Sequence, residues 1–590
     1  MSRPPSLMLA DDKLEELIEQ FNTLDADGNG FISVDEIGHA LEVVGHKLPK
    51  YQIRDLIKEF DTNIKDGKID IEEFKMMFAK LEDVRNLGRK FKKQVKESVG
   101  VKHIAGTNDA SSEGTTHSVK ANELSGFADW INKCLSGDPD CSPYLPLNPA
   151  TGDLYQKTQD GIILCKMINW SVPETVDERA INKTKLDVYR KTENLLLAIN
   201  SARAIGCSVV NIGAGDLLEG KPHLVLGLLW QIIRIGLLSD INIAHHPGLI
   251  LLLEEGRIAN FTSDISDSVA YFHLLSQIAP AEKEISTVGV HTRDLTQRAE
   301  LMLQEADKID CRTFVGPSEV VKGNYKLNLA FVANLFNSYP ALEKPDDAEI
   351  EFVQETREER TYRNWMNSMG VSPFVNRLYN DLSSGLVIFQ LYDIIQNGIV
   401  DWNKVHQKFP ALRKVFLMIE NCNYAVDLGK AIHLSLVGVG GKDIYDGNET
   451  LTLALVWQLM RAYTLSILKE LTNSHEPVMD QDIIQWANQK LASAGKSSKV
   501  ESFKDHSLAD GRVFIDLIDS IVPNSIKYDL VRASDGDEDR LANAKYAISM
   551  GRKIGARIYA LPEDIVEVKP KMILTVFACL MTRDMQKKGN

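Results

Sequence analysis

Apolar residues spaced three and four apart mark amphipathic helices from the start of the chain. Leu14, Leu17, Ile18 and Phe21 share one helical face, and Ile37, Ala40, Leu41 and Val44 share another. Ile53, Leu56, Ile57 and Phe60, then Phe74, Met77, Phe78 and Leu81, repeat the arrangement, so residues 10–82 read as two helix–loop–helix units. Farther along, the pattern changes to helices that are apolar on nearly every side. They occur at Leu226-Gly-Leu-Leu-Trp230, Leu329-Ala-Phe-Val-Ala333, Leu453-Ala-Leu-Val-Trp457 and Leu574-Thr-Val-Phe-Ala578. Such a helix is the buried centre of its domain. The chain is therefore expected to be all-α, with a front pair followed by four helical modules.

Other signals recur in step with those central helices. Trp-x-Asn opens a helix at Trp130/Asn132, Trp365/Asn367 and Trp486/Asn488. An Asp before a small residue and an apolar helix recurs at Asp160, Asp267, Asp381 and Asp510. A third helix rich in Asn and Ala passes through Asn194, Ala299, Asn421 and Asn543. These landmarks divide the chain into residues 121–240, 245–342, 356–468 and 477–588, after a segment over 83–120. The second repeat breaks the rule. No Trp lies between residues 230 and 365, while the stretch from Asp267 to Ala333 is of ordinary length. Its opening helix is missing near residues 255–260. A spliced-out segment, a gene-model error or replacement by the apolar run at 249–253 would each account for this.

The front pair carries candidate chemistry. Asp25, Asp27, Asn29, Phe31, Ser33 and Glu36 occupy the ligand positions of a calcium loop. Calcium takes about seven oxygens; Phe31 offers its carbonyl and Glu36 both carboxylate oxygens, while Gly30 permits the sharp turn. The second loop departs from this spacing. Asp61, Asn63, Asp66, Asp70 and Glu73 could coordinate through a bulged loop, or this half could serve only as a packing partner. Leu87, Phe91 and Val95 then form one helical stripe among basic residues. That stripe suits docking on a calcium-opened pair, or a solvated linker helix. Residues 103–120, rich in Gly, Ser, Thr and Asn, predict a flexible linker.

Composition narrows the classes. Hydrophobic content of 44% and charge of 25% are ordinary for globular protein. A net charge of −15 disfavours nucleic acid as a partner. Seven scattered cysteines, without a Cys-x-x-Cys pair, predict reduced thiols in the cytoplasm. No membrane span is expected, since the most apolar run, 224–238, is interrupted by Gln231 and Arg234. Gly438-Val-Gly440-Gly441-Lys442 lacks the Ser or Thr of a phosphate loop and reads as a turn. His245-His246 has no acidic or Cys partner nearby, so no enzyme is expected.

The repeats resemble calponin-homology domains, and an EF-hand pair before four of them resembles the plastin/fimbrin family of actin-bundling proteins. The likeness is carried by the stretches Asp160-Gly161-Ile-Ile-Leu-Cys-Lys166, Asn328-Leu-Ala-Phe-Val-Ala-Asn-Leu-Phe336 and Lys569-Pro570-Lys571-Met572. It implies two tandem actin-binding units, modules one with two and three with four, the second module incomplete. It also implies calcium as cofactor, actin filaments as partner, and a monomer of the actin cytoskeleton that cross-links two filaments. A scaffold binding one filament, or a non-actin partner, is the alternative if the first unit is defective. Family contact regions match residues 127–135 and 221–237, with counterparts at 362–369 and 448–461. Most of those residues, Trp130, Trp230, Trp365 and Trp457 among them, are expected in cores. Lys133, Lys221, His223, Gln231 and Arg234 are the candidate actin contacts.

Overall fold

The computed structural model describes residues 101–105, 116–239, 241, 261–340, 355–410, 413–472, 478–533 and 536–588. The chain divides into two compact units, Met1–Lys102 and His103–Asn590, and the second holds all four repeats. The two candidate calcium loops, the basic stripe around Phe91, His245-His246 and the apolar run at 249–253 lie outside the described residues.

Helices of ten residues or more are numbered here in chain order. The first module contains α1 (Ala121–Leu135), α2 (Ile162–Ser171), α3 (Val188–Ala204) and α4 (Pro222–Ser239). The second contains α5 (Val269–Ile278), α6 (Leu295–Asp307) and α7 (Tyr325–Ser338). The third contains α8 (Arg357–Ser368), α9 (Leu386–Ile395), α10 (Lys414–Ala431) and α11 (Glu449–Thr472). The fourth contains α12 (Asp480–Ser493), α13 (Arg512–Ile521), α14 (Asp537–Lys553) and α15 (Pro570–Lys588). Where Gly and Ser predict a linker, β1 (Val101–Ala105) and β2 (Thr116–Lys120) form a two-stranded sheet. Val101, Ile104, Thr116 and Val119 are good strand formers flanking the Gly/Ser stretch. The fold is otherwise helical.

By length and apolar content alone, α4 and α11 could cross a bilayer. Each is instead the closing helix of its module, with Leu228, Leu229, Ile232, Leu455, Val456 and Leu459 fully buried. All seven cysteines are free thiols.

The recurring Asn has one mechanical task. Asn194, on α3, donates from Nδ2 to the carbonyls of Asp160 and Asn182, both at 2.9 Å, and accepts from Asn182 N at 2.8 Å. Asn421 makes the same three bonds to Ser384 O, His406 O and His406 N. Asn543 makes them to Asp510 O, Arg532 O and Arg532 N. Each Asn thus pins the start of the second helix to the loop before the third. The approach is so close that a Cβ on Gly161, at φ +80°, would sit 2.8 Å from Asn194 Cβ. Repeat two has Ala299 where the others have Asn, and there Arg298 takes over. It donates to Thr292 O at 2.9 Å and to Asp267 O at 3.2 Å. Two different side chains therefore hold equivalent carbonyls. Asn194→Ala leaves three backbone groups without partners and is expected to destabilise the first module by about 3 kcal/mol. Chemical denaturation should show this as an earlier transition.

The second module is less completely covered than the fourth. Leu274, Ile278, Leu329 and Val332, on α5 and α7, are half-buried. Their repeat counterparts Leu517, Ile521, Leu574 and Phe577 are 4% exposed or less. In the fourth module that cover comes from α12, which buries Ile483, Trp486, Ala487 and Leu491 against α13 and α15. No helix of this kind opens the second module among the described residues. Residues 242–260, where such a helix would fall, lie outside the described residues.

Candidate functional site

The first and third modules hold their successors in the same way. Each uses its opening helix to grip the closing helix and a loop of the module that follows. On α1, Glu123 pairs with Lys326 at 3.6 Å; on α8, Glu358 pairs with Lys571 at 3.1 Å. Lys326 and Lys571 are both the second residue of their closing helices. Asn122 bonds Glu319, and Arg357 pairs with Glu567 at 2.5 Å. The Trp130 ring lies 4.6 Å from Phe314, and Ser368 bonds the Tyr559 hydroxyl at 2.7 Å, next to Trp365 on the same helix. The chain therefore contains two tandem units built on one plan. These contacts of the second module come from α7 and the segment before it.

A second seam joins the first module to the fourth. Arg179, between α2 and α3, donates to Leu530 O at 2.8 Å and Ala542 O at 2.6 Å, and its guanidinium lies 4.9 Å from the Tyr546 ring centre. Asp177 holds it at 2.7 Å. From α14, Arg552 donates to Thr175 O at 3.0 Å, while Asn200 Nδ2 donates to Arg552 O at 2.9 Å. Lys553 donates to Asn182 Oδ1 at 2.9 Å, with Glu193 at 3.6 Å. Burial lowers the pKa of both Arg552 and Lys553, because desolvation penalises their charge. Backbone carbonyls and amide dipoles hold Arg552 in place of a carboxylate. The third module joins through Asn364, which donates to Ala204 O at 2.9 Å.

The candidate contact residues have different fates. Lys133 is exposed on α1, with its ammonium 5.6 Å from the Trp130 ring centre and 3.5 Å from Asp310 O. Lys221 begins the turn into α4 and pairs with Asp216 at 2.5 Å and Glu219 at 3.4 Å. His223 is half-buried in the first turn of α4. Gln231 is an internal strut, donating to Ser208 O at 2.9 Å and accepting from Ser208 N at 2.7 Å. Arg234 lies 4.8 Å from the Phe374 ring centre, against the third module. Lys133, Lys221 and His223 lie along α1 and the start of α4, while Gln231 and Arg234 are occupied within the molecule. That occupation was not legible, because a satisfied Gln and a stacked Arg look like surface residues in a sequence.

Among the tryptophans, Trp130, Trp230 and Trp365 are buried and Trp457 is half-buried. Most of α8 is covered too, with Tyr362, Trp365, Met366, Asn367 and Ser368 buried. The Gly438–Lys442 stretch is a turn at Gly438 that leads into a short helix, Gly441–Tyr445: Asp443 accepts from Gly440 N at 2.9 Å, and Lys442 bonds Asp446. Among the described residues no group of three or more His, Cys, Asp or Glu is placed to hold a metal.

Comparison with known proteins places these features together. The calponin homology (CH) domain model matches residues 122–237, 251–341, 356–465 and 477–586, the second match being the shortest. An EF-hand domain pair model matches residues 14–79. The chain is 50% identical to plastin-1 of Bos taurus over 621 residues, covering 98% of each chain. It is 49% identical to plastin-3 of Homo sapiens over 633 residues, covering all of both. An aligned span of 621 exceeds this chain's 590 residues, so at least 31 positions of plastin-1 have no counterpart here. The crystal structure of the actin-crosslinking core of Schizosaccharomyces pombe fimbrin superposes with a TM-score of 0.68 at 42% identity. It covers 79% of this chain and all of that one.

Proposed function

Since the chain belongs to the plastin family, whose members match it along its whole length, we propose that it cross-links actin filaments into bundles under calcium control. The observation that carries this reading is the duplicated seam. Glu123–Lys326 and Glu358–Lys571 occupy equivalent positions in two tandem units on one chain. A second binding event on the same chain benefits from high local concentration, so bivalency supplies bundling without a dimer. The protein acts as a non-catalytic monomer in the cytoplasm, on the actin cytoskeleton.

Calcium enters through the front pair. Asp25, Asp27, Asn29, Phe31, Ser33 and Glu36 hold the ion in the first loop; Asp61, Asn63, Asp66, Asp70 and Glu73 are the ligand set of the second. The basic stripe around Phe91 is the segment that docks on the calcium-opened pair. On the filament side, Lys133 is the foremost contact, because it is exposed and lightly held. Lys221 and His223 extend the same surface. Gln231 and Arg234 act inside the molecule, fixing the 208 loop and the third module.

One observation favours a second reading, a scaffold that holds a single filament. The half-covered strip on α5 and α7 weakens the module that completes the first unit. High-speed co-sedimentation of the whole chain with actin filaments tests the binding step. The chain is expected to pellet with filaments, and Lys133→Glu to weaken binding by about tenfold, or about 1.4 kcal/mol. No co-pelleting would reject actin as partner, and an unchanged affinity would remove Lys133 from the contact.

A further inference from the structure

A cleft opens where the third and fourth modules meet, bounded by α8, α11, the loop over residues 555–559 and α15. Its enclosed volume is about 60 Å3, enough for several waters. Trp365, Met460, Tyr463 and Ile467 supply apolar walls; Arg557 and Arg583 supply charge, and no Asp or Glu lines it. Arg557 is exposed; its carbonyl accepts from Cys579 Sγ at 3.3 Å, and its guanidinium makes neither a hydrogen bond nor an ion pair among the described residues. Among the described residues, Arg583 donates only to the Ile554 carbonyl. A third guanidinium belongs to the same region. Arg203, from the first module, donates to Asn200 Oδ1 and Val209 O, both at 3.0 Å. Burial lowers the pKa of Arg203, and the charge of Arg557 lowers it further. Trp365, in the cleft wall, carries a buried indole N–H that has no acceptor among the described residues.

Guanidinium groups gathered without a carboxylate repel one another, and the repulsion grows as water is excluded. An anion between them reverses the sign of that interaction. An apolar body beside it removes the half-buried Tyr463 and Ile467 from water. We propose that this cleft binds a small amphipathic organic anion, an aromatic or short aliphatic body carrying one carboxylate, sulfonate or phosphate group. The ligand touches α11 on one side and α15 on the other. Its occupancy therefore tightens the third module against the fourth, within one tandem unit.

The probe is 1-anilinonaphthalene-8-sulfonate, titrated by fluorescence into the whole calcium-free chain. Its uncharged relative N-phenyl-1-naphthylamine is titrated in parallel. One saturable sulfonate-dependent site is expected. Arg557→Glu should weaken the sulfonate probe at least tenfold, leave the uncharged probe within about twofold, and leave the melting temperature unchanged. Arg557→Lys should keep an intermediate affinity, since it retains charge but loses the planar fork. The proposal is overturned if the sulfonate probe binds Arg557→Glu as tightly as the parent, which would place the probe elsewhere. Equal weakening of both probes, or no saturable site, overturns it as well.

Discussion

A helix of the α12 type, grafted between residues 256 and 261, raises the stability of the second module by about 3–5 kcal/mol. The figure follows from the strip that such a helix would cover. Leu274, Ile278, Leu329 and Val332 are half-buried, whereas Leu517, Ile521, Leu574 and Phe577 under α12 are almost wholly enclosed. Completing the burial of four large apolar side chains, about half of each, contributes roughly 1 kcal/mol apiece. A Trp packed as Trp486 is, with its indole N–H donating to Asp584 at 3.1 Å, adds to that. Tyr339 stands at the Asp584 position in the second module, so the graft should carry Phe in place of that Trp. Hydrogen exchange across α5 and α7 is the measurement. Slowing by two to three orders of magnitude is expected; unchanged exchange would mean that the strip is already covered by other means.

Arg179→Ala is expected to weaken the seam between the first and fourth modules by about 2–5 kcal/mol, the usual cost of truncating a hydrogen-bonded charge at an interface. The guanidinium bonds Leu530 O and Ala542 O, faces the Tyr546 ring and holds Asp177. Truncation leaves two carbonyls and a carboxylate without their partner at once. The modules themselves keep their cores, since Arg179 contributes no apolar packing to either central helix. Exchange protection should therefore fall at the facing surfaces of α3 and α14 and persist in α4 and α15. A change below about 0.5 kcal/mol would show that Arg552, Lys553 and Asn200 hold the seam without it.

Much of this was legible in the chain. Period and repeat spacing located the central helices, because burial demands apolar residues all round them. The irregularity of the second repeat was visible as the absence of a Trp before Asp267. Other features were not legible, for a physical reason. Arg298 does the work of Asn194, Asn421 and Asn543, but equivalent bonds to carbonyls leave no common residue type to find. Arg179, Asn200 and Lys553 resemble ordinary surface residues until a second module is laid over them. Gln231 and Arg234 were expected on the outside for the same reason. The short strands at 101–105 and 116–120 were hidden by the Gly and Ser between them.

The central claim is that two tandem units on one chain hold two filaments. Low-speed sedimentation of actin filaments with the whole chain tests it most directly. Bundles should pellet, in an amount that changes with calcium and ceases to change in Glu36→Gln. Filaments that carry the chain into the pellet only at high speed would contradict the account and leave one working unit.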